Sequence, residues 1–514
     1  MKKIILTALF VLGIFICMLD TTILNVSLPN IGEHLNVGLD SLSWALNIYL
    51  ILFASLTIPL TRIAEIVGVH KSFLFGVLLF GLGSIISACS SGLSVLLMGR
   101  AIQSIGASVI FPLSMTLGIG LVSIEKRTGM IALLGITQGL AAAIGPVVGG
   151  IVTQFMGWRW IFLINVPLTI LMILVGVTNL NVRNEVQYKQ AMDIWGAVLI
   201  MITLAALSLG MMQGRVWGWT SLQIIGCFLI GSVGFLLFIL IEYRSKNPMI
   251  PLALFLNRNF TVSSLIIILS NLFLVATTVI LPTYFTNIEG FNTLHSSFLV
   301  SPISLAILIF SPISGFLEKY ISAKWLLLLG FTIMFCGYSW LSYGALTNQT
   351  YAISAGFAIG MGYGTVTGPI LIIAAGNLKG KLLVASQSVT GVLRQIGSML
   401  AVAIFVTGLY GNLTVARNQS KSYAQNQIIK TNLPVEQQKK LLSRINKHMD
   451  STQFVKSDLY YVPEMLKQPI QNVEKKTHLL LRKAFESLYL TSIPFILFAG
   501  LISLLIKNKK IDLK

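Results

Sequence analysis

Charge is scarce in this sequence. Only 10% of its 514 residues are Asp, Glu, Lys or Arg, where a soluble domain carries about 25%. That scarcity excludes an ordinary water-soluble fold. Acidic residues are fewest, 17 against 36 basic, for a net charge of +19. The excess sits in short loops and one long loop rather than on a soluble surface, so nucleic acid is not an expected partner. Cysteine is nearly absent. Cys17, Cys89, Cys227 and Cys336 fall within apolar runs and read as small core residues, which excludes a disulfide framework. Five histidines have no ligand spacing, so no metal is expected. There is no phosphate loop and no nucleophile elbow. The chain is therefore not expected to be an enzyme, to hold a cofactor or catalytic residues, or to draw energy from ATP.

What the sequence has is apolar length. It is 55% hydrophobic, with mean hydropathy +0.84. A membrane helix needs about 20 apolar residues, and fourteen such segments can be marked, from Ile4–Asn25 to Ser386–Tyr410 and Leu488–Ile506. Lys2 and Lys3 before the first run resemble a secretory leader. No A-x-A site follows, so the run is taken as an uncleaved first span. Alternate short loops hold nearly all the basic residues, among them Arg62, Lys71, Lys126, Arg127, Arg183, Arg244, Arg258, Lys324 and Lys381, while the others hold only Arg159 and Arg215. The positive-inside rule makes the first set cytoplasmic, and both termini with it. The basic segment 412–486 is then external. Its length exempts it from the rule. Leu441, Leu442, Ile445 and Met449 form one apolar stripe after Pro434 and Glu436, so an ordered cap of two or more helices is expected there.

The chain also repeats itself. Span four, GRAIQSIGASVIFP, aligns with span twelve, GFAIGMGYGTVTGP, pairing Gly99 with Gly356 and Pro112 with Pro369. Pro59 and Lys71 likewise match Pro312 and Lys324. Span n thus corresponds to span n+8. The expected architecture is an all-α membrane protein of 14 helices arranged 6+2+6. Residues 1–182 form one six-helix bundle, 183–245 two inserted helices, and 246–514 a second bundle that includes the 412–486 loop. Parallel repeats of this kind place a substrate site between the halves near midplane.

Three groups of residues can carry chemistry. Asp20 in MLDTTILNVSLP lies sixteen residues up from Ile4, about 24 Å along a helix. Arg100 enters from the other side near the same depth. A buried ion costs several kcal/mol unless paired, so Asp20 and Arg100 are expected neighbours, directly or through Asn25 or Gln103. Burial favours a carboxylate's proton and a nearby guanidinium opposes it. A pair balanced between them can take up and release a proton. The alternative is a permanent ion pair that staples two helices. Second, GLAAAIGPVVGG in span five combines close-packing small residues with a helix-bending Pro146. Third, Arg62, Glu65 and Lys71 flank Gly68 in the second loop. They read as a latch at a cytoplasmic gate, or as an ordinary basic loop.

These motifs resemble the major facilitator superfamily, and within it the fourteen-span drug:proton antiporters of the EmrB/QacA type. LDTTILNVSLP is similar to that branch's first-helix motif, and MGRAIQSIGAS carries its fourth-helix arginine as Arg100. AAAIGPVVGG matches the antiporter motif at Gly145, Pro146, Gly149 and Gly150, with Ala141 in place of its first glycine. GWRWIFLINVP, DIWGAVLI, NPMIPLALF and RQIGS also fit. The gate loop departs, with Thr61, Glu65, Val69 and His70 at motif positions. The resemblance implies a major facilitator fold in a bacterial cell membrane, acting as a proton-coupled exporter of small amphiphiles by alternating access. Its partners would be substrate, protons and the lipid bilayer, with a monomer expected. Polar residues placed for a central cavity are Asn25, Gln103, Gln138, Asn271 and Gln395, together with Arg394. Asp20 is the one acidic residue deep in a span, against Arg100 and Arg394. That balance suits a neutral or anionic amphiphile better than a dication. An importer or uniporter of a dedicated metabolite or lipid, or a membrane sensor using the external loop, stays open.

Overall fold

A computed structural model describes residues 2–507, apart from 124–125, 184, 186–191, 246, 319, 377, 379, 432–433 and 451–463. Within these residues the chain is helical throughout. Fourteen helices are long and apolar enough to cross a membrane. We number them as spans one to fourteen: Lys2–Leu24, Trp44–Val67, Val69–Ala88, Leu93–Gly120, Gly129–Met156, Trp160–Asn179, Ile194–Trp217, Leu222–Arg244, Arg258–Asn287, Leu294–Leu317, Ala323–Ser342, Gln349–Ala375, Gly380–Ile429 and Gln468–Ser503. An even number of crossings puts both chain ends at one face of the bundle, here called the terminal end; the opposite one is the hairpin end.

The helices end where backbone chemistry ends them. Gly68, Gly157 and Gly218 take φ of 126°, 88° and 87° at the breaks after spans two, five and seven, a region that L side chains avoid. Asp193, Ser221, Asn257, Asn292 and Asn348 cap the first turns of later helices through their side-chain oxygens. Side chains facing the surrounding lipid are large and apolar. Span eight exposes Leu229, Ile230, Val233, Leu236 and Leu240, as a helix solvated by hydrocarbon should.

Glycines decide which helices approach most closely. A Cβ at Gly83 would lie 2.5 Å from the backbone nitrogen of Gln103, and one at Gly106 would lie 2.6 Å from the carbonyl oxygen of Gly76. Spans three and four therefore cross nearly backbone to backbone. Spans eleven and twelve repeat this crossing. A Cβ at Gly362 would lie 2.5 Å from the oxygen of Gly330, and one at Gly337 would lie 2.6 Å from the Ile359 side chain. The aligned prolines also recur inside their helices, Pro59 and Pro112 in spans two and four, Pro312 and Pro369 in spans ten and twelve. Spans seven and eight pack on each other, and span seven leans on spans two and thirteen.

Two expectations need correcting. The segment 412–486 holds the helices expected of it, but the spans on either side do not end near Tyr410 and start near Leu488. Span thirteen runs on as helix to Ile429, and the last helix begins at Glu464. The two extensions pack as a hairpin, and a further helix, Val435–Asp450, lies against it. Ile445 of the apolar stripe meets Tyr423, Ala424 and Val473 there; the side chain of Met449 lies outside the described residues. The extensions are longer than hydropathy suggests because polar helix formers continue the helix once packing pairs them. Second, only Cys17 is buried; Cys89 and Cys336 are exposed. A thiol on a hydrocarbon-facing surface needs no core to be tolerated.

Candidate functional site

Asp20 is 1% exposed and Arg100 wholly buried. Arg100 Nη1 donates to Asp20 Oδ2 at 2.5 Å, and Gln103 Nε2 donates to Asp20 Oδ1 at 3.1 Å. Arg100 also donates through Nη1 to Gln103 Oε1 at 3.1 Å and through Nε to the Ala45 carbonyl at 3.0 Å. Its guanidinium sits 4.4 Å from the centre of the Tyr49 ring, a cation–π contact. Gln103 Nε2 further donates to Ser84 Oγ at 2.8 Å, and Ser87 Oγ donates to Gln103 Oε1 at 3.4 Å. The glycine crossing makes this possible: Gly83 and Gly99 let span three reach the backbone flanking Gln103.

Asn165 completes the shell around Asp20. Its Nδ2 donates to Asp20 Oδ1 at 3.4 Å from span six. Neither Asn165 nor Tyr49 is evident as a site residue from the sequence. The available signal was the polar Asn inside the otherwise apolar FLINVP run. Asn25 lies on the same helix as Asp20, but its side chain is outside the described residues. Arg100 Nη2, Asn165 Oδ1 and the Tyr49 hydroxyl have no hydrogen-bond partner among the described residues. The cluster thus keeps donor and acceptor capacity beyond the ion pair itself.

Span five lies directly behind this carboxylate. A Cβ at Gly145 would collide with the Thr22 hydroxyl, and one at Gly149 would lie 2.5 Å from the carbonyl oxygen of Ile23. Gly150 is buried beside them, and Pro146 sits inside the helix. The glycines of GPVVGG therefore seat span five on the turn of span one that follows Asp20. Ser27 Oγ and Thr153 Oγ1, 2.5 Å apart, tie the same two helices further along.

A second polar group lies between spans five, nine, twelve and thirteen. Arg394 donates through Nη1 to Gln138 Oε1. Gln138 Nε2 reaches Met115 Sδ at 3.5 Å. Asn271 Nδ2 donates to the Arg394 carbonyl at 2.7 Å and to Ser398 Oγ at 2.6 Å, and the Tyr363 hydroxyl donates to Asn271 Oδ1 at 3.3 Å. Gln395, expected here, is half-buried and takes no part in these bonds among the described residues. No carboxylate pairs with Arg394 among the described residues, so this group carries a cation held by neutral partners.

At the terminal end the expected three-residue latch divides. Arg62 and Glu65 form an ion pair. Lys71 is not in it. Gly68 breaks the helix between them, and Lys71 lies in the first turn of span three, where its backbone N–H and that of His70 donate to Glu185 at 3.5 and 2.6 Å. Glu185, buried over Gly68, was not legible as a partner, because it lies 117 residues further along in a loop. Arg62 and Glu65 line a cavity of about 340 Å³ with Thr61, Lys381, Ser388 and the segment Asn247–Pro251. Arg127 Nη1 donates to the Leu378 carbonyl at 2.7 Å, bridging the first and last thirds of the chain at this end.

A profile of the Major Facilitator Superfamily matches residues 10–402. The chain belongs to the major facilitator superfamily. Its relatives in that superfamily include Multidrug export protein EmrB of Escherichia coli K12, 28% identical over 410 residues, covering 79% of this chain and 80% of that protein. Multidrug resistance protein 3 of Bacillus subtilis 168 is 26% identical over 404 residues, covering 77% of each. Among solved major facilitator structures, the human organic anion transporter MFSD10 superposes with a TM-score of 0.56 over 79% of this chain and 93% of its own, at 15% identity. That likeness concerns the fold. This facilitator is a multi-pass membrane transporter of small molecules.

Proposed function

We propose that the chain is a proton-coupled exporter of neutral or anionic amphiphiles, working by alternating access in a bacterial cell membrane. The observation that carries the reading is Asp20: a carboxylate buried within span one and held by Arg100, Gln103 and Asn165. Protonation of Asp20 cancels its charge and weakens the bond from Arg100, while Gln103, Ala45 and Tyr49 keep the guanidinium solvated. The free-energy gap between the two charge states is then available to bias one conformation over another. Gly145 and Gly149 sit on the turn after Asp20, so a shift of span one is felt at once by span five.

In this reading residues 1–182 and 246–514 are two six-helix halves that rock about the midplane, with 183–245 a two-helix insert between them. The basic short loops put the terminal end in the cytoplasm. The Arg127–Leu378 bridge then holds the cytoplasmic gate, with the Arg62–Glu65 pair of span two lining the cavity beside it. The central cavity lies around Gln138, Asn271 and Arg394, where an unpaired cation favours an anionic or neutral guest. The multidrug names of the relatives favour export over the importer and sensor readings. The test is transport by the full chain in proteoliposomes under an imposed pH gradient, with anionic, neutral and cationic amphiphiles compared and internal pH followed by a dye. Uphill movement of anionic or neutral members with matching proton flux supports the proposal. Gradient-independent movement, or movement of cationic members only, overturns it.

A further inference from the structure

Where span seven meets span thirteen near the hairpin end, the surface is concave. Met211, Trp219, Phe228, Leu400, Ile404 and Thr407 line a lateral groove of about 510 Å³, with Ala403 and Gly408 at its floor. That size is within the range of small-molecule pockets, about 300–1,000 Å³, and the walls are almost wholly apolar. The groove is built by two departures from regular packing. On one side, Gly210 and Gly214 leave span seven bare: a Cβ at Gly214 would lie 2.5 Å from the Trp219 ring, and one at Gly210 would lie 3.4 Å from the Phe228 ring. Trp219 and Phe228 therefore lie flat against span seven, stacked on each other with centroids 6.4 Å apart and planes 14° from parallel. On the other side, residues Val402–Val406 wind as a π-helix, a local widening that recurs at functional sites. A single cation stands at the rim. Arg215, one helical turn beyond Met211, is exposed and lies 3.9 Å over the ring of Tyr410, which follows Gly408 on span thirteen. No carboxylate pairs with Arg215 among the described residues.

We propose that this groove binds one anionic phospholipid of the surrounding bilayer, with an acyl chain between Trp219 and the π-helix and its phosphate on Arg215. The occupant follows from the arrangement. The groove is open along its side, where Ile404 and Trp219 are exposed to the hydrocarbon that surrounds spans seven, eight and thirteen, so the guest is a lipid tail. An arginine fixed by an aromatic ring at the membrane boundary offers planar, bidentate donors to a phosphate. Tryptophans 217 and 219 beside it belong to the interfacial belt that marks headgroup depth. The site is separate from Asp20 and from the Arg394 group, and it makes the contact between the inserted helices and span thirteen partly lipid-mediated.

The test uses the full chain in phosphatidylcholine nanodiscs doped with acyl-brominated phosphatidylglycerol or, at equal mole fraction, acyl-brominated phosphatidylcholine. Bromine quenches tryptophan on contact, and the difference between the native chain and Trp219→Phe isolates the signal of Trp219. The expected result is quenching of that signal several-fold stronger by the phosphatidylglycerol. The preference should vanish in Arg215→Gln, whose exposed position spares the fold, and all quenching of Trp219 should fall in Ala403→Phe, which fills the floor. Thermal unfolding of each variant checks that it is folded. Equal quenching by the two phospholipids, or an unchanged preference in Arg215→Gln, overturns the proposal. So does equal quenching by a brominated fatty acid, which would assign the groove to any anionic amphiphile.

Discussion

Replacing Asp20 by Asn keeps the side chain's shape and removes its charge. Arg100 is then a buried cation without its counter-ion, and breaking such a pair from one side costs about 3–5 kcal/mol. The surroundings put the loss at the low end. Arg100 keeps the Ala45 carbonyl and Gln103 Oε1 as acceptors, and the Tyr49 ring contributes about 0.5–2 kcal/mol. We expect a loss of about 3 kcal/mol for Asp20→Asn. Arg100→Gln should cost about as much, since it strands the carboxylate with only Gln103 and Asn165. The double variant strands neither charge. It should be less destabilised than the sum of the two by about 2 kcal/mol or more, within the range seen for residues in one network. SDS-titrated unfolding in mixed micelles, followed by helical circular dichroism, measures all four chains of this cycle. Single losses below about 1 kcal/mol, or additivity within about 0.5 kcal/mol, would refute the reasoning that the pair is tightly coupled.

Three further outcomes follow from the geometry. Gly145→Val drives a branched side chain into Thr22 and should cost about 1–3 kcal/mol by overpacking, with transport lost more completely than stability; a variant that transports like the native chain would remove span five from the mechanism. Arg394→Gln deletes the central cation while leaving a partner for Gln138. It should raise KM for an anionic substrate about tenfold, the equivalent of 1.4 kcal/mol, with little change for a neutral one, as read by competition transport. Glu185→Gln weakens a charge-assisted acceptor of the His70 and Lys71 N–H groups, bonds of a kind worth about 1.5–3 kcal/mol. Hydrogen exchange at those two amides should therefore speed up while exchange deeper in span three does not.

Much of this molecule is legible from its sequence because a bilayer leaves few choices. Hydropathy alone gives the fourteen spans, since a helix must satisfy its own backbone in hydrocarbon. Asp20 and Arg100 can be paired before any coordinates, because two opposite charges at one depth have nowhere else to go. Other features depend on rotation about the helix axis, and hydropathy does not report that. Asn165 and Tyr49 join the Asp20 cluster because their helices turn those faces inward, while Gln395, one residue from Arg394, turns away from the same bonds. Glu185 meets the start of span three through a loop closure that no local pattern encodes. The region beyond Tyr410 is half legible: the stripe of Leu441, Leu442 and Ile445 marks a helical cap, but hydropathy does not show that both flanking spans run on into it, because pairing of the two polar extensions is what stabilises them as helix.

The most direct test of proton coupling at Asp20 is a paired measurement in proteoliposomes on one transported substrate. Substrate counterflow without a pH gradient is compared with uphill transport under an imposed gradient, for the native chain and for Asp20→Asn. The account predicts that the variant retains counterflow and loses uphill transport. Uphill transport by Asp20→Asn at the native level would contradict it and leave Asp20 as a staple between helices.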